Sequence, residues 1–162
     1  MASKHLESYL NDHLAGSSMA VELLANVAAT YAGTETQAFA TALREDVIAD
    51  RKVLEDLIAK LGFSQSMPRK ASAWIGEKMA QLKLRWDDPA SGSFRLFESM
   101  EATSLGIEGK RVLWKALADA SAANMQLVGP DYEHLMARAQ EQRDRVETVR
   151  KSAAVEALGA VL

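Results

Sequence analysis

Four stretches of this 162-residue chain carry apolar residues at three-and-four spacing, each for about seven turns. The periodicity predicts helices over about 3–31, 35–61, 93–120 and 131–158. Each would present one apolar face that must be buried against another helix. Four such helices in one chain predict an all-α, four-helix bundle in a single domain over 1–162.

The breaks fix the connections. Ala32-Gly33 ends the first helix, and Thr34 with Gln37 has the pattern of a capping box for the second. A break this short makes the first two helices antiparallel neighbours. From 62 to 92 the pattern changes, with Pro68 and Asp88-Pro89 as punctuation. Inside it, a short helix is expected over about 69–84, and Trp74 and Trp86 would clamp this connection onto the bundle. Gly129-Pro130 precedes Asp131, the expected cap of the fourth helix.

A connection of roughly thirty residues is too long for a tight turn and suits a crossover running the length of a bundle. The third helix then starts at the same end as the second, giving an up-down-down-up order. On that threading, one polar residue from each inner face reaches nearly the same level. His13, Asp50, Glu108 and Gln142 all fall roughly 15–18 Å from one end at 1.5 Å per residue. Gly16, Gly106 and Gly109 lie within about a turn of that level. Glycine weakens a helix interior, so these three suggest close backbone approach or a local bulge. The charged residues of the second helix, and Arg138, Glu141, Arg145 and Lys151 of the fourth, read as solvated faces. Glu101 is expected to pair with Arg111 or with the fourth helix, and His5 and His134 to lie on the surface. Trp114 would pack under the crossover or in a dimer interface.

Composition narrows the chemistry. There is no cysteine, which removes thiol nucleophiles, thiolate metal sites and iron–sulfur clusters. Any metal would be held by carboxylate and imidazole. The net charge is −3 with both signs interspersed, so no nucleic-acid footprint is visible. No apolar run reaches the length of a membrane span. The opening MASKHLESYLND has no signal-like apolar core, so a cytoplasmic location is expected. Phosphate loops and nucleophile elbows are absent.

The chain resembles the ferritin-like superfamily, in particular small bacterial proteins with a YLNDHLAG-type start on the first helix and a LGIEGK-type segment on the third. Here these are Tyr9 to Gly16 and Leu105 to Lys110. The resemblance implies a ferritin-like bundle with a long crossover between the second and third helices. Active members hold two metals with a Glu from each of two helices and a Glu-x-x-His from each of the others. The corresponding positions here read Asp50-x-x-Val53 and Gln142-x-x-Arg145, without histidine. Glu108 matches the single acid of the third helix, and His13 or Asp12 would stand for that of the first.

Two readings follow. In the first, His13, Asp50, Glu108 and Gln142 form a buried polar network, and the protein is a non-enzymatic bundle, a homodimer with no cofactor. In the alternative, the same residues hold a divalent iron, manganese or zinc ion in an oxidoreductase-like protein with a reduced ligand set.

Overall fold

The computed structural model describes residues 2–65, 77 and 92–159. Four long helices make up nearly all of them: α1 (Ala2–Thr30), α2 (Glu35–Lys60), α3 (Gly92–Ser121) and α4 (Tyr132–Leu158). A single 3-10 turn, Met125–Leu127, lies between α3 and α4. The described residues are therefore all-α, with no strand among them. None of these helices is long and apolar enough to cross a membrane. The short helix expected over 69–84, with Trp74 and Trp86, lies outside the described residues apart from Glu77.

Local chemistry sets the helix ends. Gly33 and Gly62 adopt φ of +78° and +70°, the left-handed region in which a Cβ is unfavourable, and each follows the end of a helix. The expected capping box at Thr34 is only half made. Gln37 reaches back, but it accepts from the Gly33 N–H at 2.7 Å, and the Thr34 hydroxyl turns away to the Tyr31 carbonyl. Asp131 caps α4 as the sequence suggests, accepting from the His134 N–H at 3.0 Å.

Packing divides the core into two clusters. One joins Leu10 and Leu14 of α1 to Leu54, Leu57 and Ile58 of α2, Leu113, Trp114 and Leu117 of α3, and Tyr132 and Leu135 of α4. The other joins Leu23, Leu24 and Val27 to Ala40, Leu43 and Val47, then to Met100, Ile107, Ala139 and Val146. Trp114 is a core residue, its ring 6.3 Å from that of Tyr132. Ser64 is tied to α1, and Gly92 to Tyr31 just beyond its end. The buried Asn11 donates to the Ser64 carbonyl at 3.0 Å, and the Tyr31 hydroxyl donates to the Gly92 carbonyl at 2.5 Å.

The expectation for the mid-helix glycines is corrected. Among the described residues, a Cβ at Gly16, Gly106 or Gly109 would meet nothing within 4 Å, so none marks a close backbone approach there. Nor is there a bulge, since α3 runs as unbroken α-helix through both of its internal glycines. These residues cost helix stability without a compensating contact among the described residues. Gly106→Ala should therefore raise stability by about 0.5–1 kcal/mol in urea denaturation. A loss of stability would mean that the glycine is required by packing.

Candidate functional site

The polar centre of the bundle is assembled from three helices. On α2, Asp46 and Asp50 lie one turn apart on the same face. On α4, Arg138, Gln142 and Arg145 recur at four-and-three spacing and face them. From α3 comes Lys110, which sits between Ile107 and Leu113 on the buried side of the helix.

The innermost bonds are made by Lys110. Its ammonium donates to Asp50 Oδ2 at 2.5 Å and to Gln142 Oε1. Gln142 Nε2 completes the triangle by donating to the same Asp50 oxygen at 2.9 Å. Asp50 is 3% exposed and Gln142 is fully buried, while the Lys110 side chain retains 16%. The other Asp50 oxygen lies 3.2 Å from Arg138 Nε, an ion contact without hydrogen-bond alignment. Arg138 continues outward to Asp46 at 3.3 Å, and Arg145 also bonds Asp46. Two carboxylates and three cations thus form one chain of charge from the core to the surface. It ends in an open depression of about 410 Å³ bounded by Asp46, His134, Arg138, Glu141 and Arg145.

The electrostatics of Lys110 are a contest. Burial pushes its pKa below the usual lysine value, and the adjacent Asp50 carboxylate works in the opposite direction. Desolvation is the larger effect, so the ammonium is costly to hold in place without both of its acceptors.

The four residues expected to share a layer divide into three groups. Asp50 and Gln142 are brought into direct contact. Glu108 turns to the outer edge of α3 and α4, 30% exposed, where both oxygens accept from Arg111 at 2.7 and 2.9 Å. Arg143 of α4 adds a third bond at 3.1 Å. His13 stays half-buried on α1, edge-on to Tyr9 with ring centroids 4.8 Å apart. Burial lowers its pKa, opposed by the smaller effect of Asp12. Among the described residues, no three His, Asp or Glu side chains come together as a metal-binding group.

Sequence reasoning missed Lys110 because lysine in a helix ordinarily reads as solvent-facing. Its spacing was the available signal, three residues after Ile107 and four before Trp114. Arg138 and Arg145, read as part of a solvated face, are corrected: both reach the flank of α2 to pair with Asp46. Glu101 is exposed and leaves Arg111 to Glu108. Its influence falls on Arg150 of α4, whose pKa is raised first by Glu147 and only weakly by Glu101. No family model, no curated protein and no solved structure matches this chain.

Two outcomes follow from this geometry. Asp50→Ala strands a buried ammonium and an amide, and should cost about 3 kcal/mol in chemical denaturation. Replacing Asp50, Lys110 and Gln142 together by Leu, Met and Leu should recover most of that loss. Equal losses in the single and triple variants would show that the polar bonds are not what the site needs.

Glu108 gives a pH signature. Its hydrogen bonds to Arg111 hold its pKa below the usual 4.5; burial, the next largest effect, opposes them, and the charges of Arg111 and Arg143 add to the lowering. A depressed carboxylate stabilises the fold above its unfolded-state pKa and loses that contribution as pH falls through its folded-state pKa. Glu108→Gln should therefore be slightly less stable than the parent at neutral pH, by less than about 1 kcal/mol for so exposed a pair. The two should converge in acid. A difference that persists there would assign the loss to packing.

Proposed function

We propose that this chain is a ferritin-like bundle, threaded up-down-down-up, in which a lysine ammonium takes the place of a metal centre. The observation that carries the reading is the Lys110 ammonium bonded to both Asp50 and Gln142 in the middle of the bundle. The threading is supported by the two core clusters. One gathers the early part of α1, the late parts of α2 and α3 and the start of α4, and the other gathers the reverse set from the first three helices.

The donor set does not fit a di-metal centre. The two carboxylates that would be the principal ligands belong to different ion clusters, Asp50 with Lys110 and Arg138, Glu108 with Arg111 and Arg143. No histidine follows either at the three-residue spacing of the ferritin-like pattern. A fixed ammonium 2.5 Å from Asp50 would also repel any divalent ion drawn to that carboxylate. No redox or oxygen chemistry is therefore assigned. The protein acts as a non-enzymatic, cytoplasmic homodimer, working through protein contacts on a bundle held rigid by its polar centre.

Metal loading tests this reading. Protein incubated anaerobically with ferrous iron, and separately with manganese or zinc, then desalted, should retain less than about 0.1 metal per chain. Its melting temperature should not move. Retention near one equivalent, lost in Asp50→Asn but not in His134→Ala, would overturn the reading in favour of a reduced-ligand metal protein.

A further inference from the structure

We propose that the outward face of α3 around Gly109 is the surface through which two copies of this chain pair, with the two α3 helices antiparallel about a two-fold axis. The inference rests on the homodimer part of the reading above and not on the role of Lys110.

The face has the residues of a helix–helix seam but no partner among the described residues. Leu105 and Val112 are 68% and 46% exposed, and they lie two turns apart on one side of the helix. Gly109 falls between them and Ala116 one turn beyond, giving a narrow apolar stripe at four-three-four spacing. The space above Gly109 is open, since a Cβ there would touch nothing within 4 Å. Among the described residues nothing requires that glycine, whereas a second helix crossing at that point would need it.

Charge selects the occupant and its direction. Glu101 and Lys115 are both exposed and lie along one edge of the stripe, seven residues on either side of Glu108. In an antiparallel two-fold pairing centred there, Glu101 of each copy lies opposite Lys115 of the other, and Leu105 comes within one residue of the level of Val112. A parallel pairing would set like charges together. The only in-chain partner of Lys115 among the ion pairs of the described residues is Asp119, a solvent-exposed contact at 3.6 Å. Near the axis, Glu108 does not bring a bare charge, because Arg111 and Arg143 already hold it. The surface is thus complementary to itself, as an interface between identical subunits must be. The stripe is shorter than a standard protein interface provides, so association in the micromolar range is expected.

Sedimentation velocity from about 1 to about 200 µM measures this directly. The parent should shift from monomer to dimer across that range. Leu105→Glu/Val112→Glu should remain monomeric with unchanged helicity by circular dichroism. Glu101→Lys and Lys115→Glu should each weaken pairing by about ten-fold or more, and the double swap should restore it. Because the chain has no cysteine, the paired substitution Leu105→Cys/Val112→Cys, two turns apart within one helix, provides a positional test. Under mild oxidation it should form a covalent dimer at these concentrations, whereas Thr41→Cys on exposed α2 should not. A parent that stays monomeric throughout would overturn both the proposed face and the homodimer reading. A dimer that ignores the Leu105→Glu/Val112→Glu change would overturn the face alone and leave the homodimer standing.

Discussion

The bundle depends on one buried ammonium. Lys110 of α3 is bonded to Asp50 of α2 and to Gln142 of α4, and those two are bonded to each other. Three helices therefore meet at one set of polar atoms, with apolar clusters on either side. Hydrophobic burial tolerates small slides of one helix along another. A buried ammonium does not, because moving any of the three helices by a turn leaves a charge or an amide unpaired. The polar centre fixes register, at the cost of desolvating an ion pair.

The remaining charges are graded around it. Arg138 and Asp46 carry the network from Asp50 toward solvent, where Arg145 closes it. On another edge, Glu108, Arg111 and Arg143 clip α3 to α4 at partial exposure, where each pair contributes little by itself. A carboxylate expected in the polar layer thus clips α3 to α4 at partial exposure, and Lys110, not among the residues expected there, bonds Asp50 and Gln142.

Three of the four inner faces were legible from spacing alone. Leu10, Leu14, Leu24 and Val27 of α1, Leu43, Val47, Asp50 and Leu54 of α2, and Leu135, Ala139, Gln142 and Val146 of α4 are all buried at the positions periodicity suggested. The third helix was not legible, for a physical reason. It buries Arg95, Ser99, Thr103 and Ser104 while exposing Leu105 and Val112, so its two sides differ little in polarity. With contrast that weak, periodicity could not tell Glu108 from Lys110 as the inward residue, and residue-type preference chose wrongly. The glycines misled for a related reason. Their conformational cost is visible in sequence, but whether a neighbouring atom requires them is a property of packing. The half-made cap at Thr34 shows the same limit at smaller scale, since the residue types were right but the Gln37 bond fell one residue away and the Thr34 hydroxyl turned back to Tyr31.

A double-mutant cycle between Lys110 and Asp50 tests the central claim most directly. Stability is measured for the parent, Lys110→Met, Asp50→Leu and the combined variant, with the melting transition followed by circular dichroism and by tryptophan fluorescence. If the ammonium is the cation around which the bundle is registered, the two sites are coupled by about 2 kcal/mol or more, and the combined variant is more stable than Asp50→Leu alone. Losses that simply add, with coupling near zero, would contradict the account and reduce Lys110 to an ordinary surface lysine.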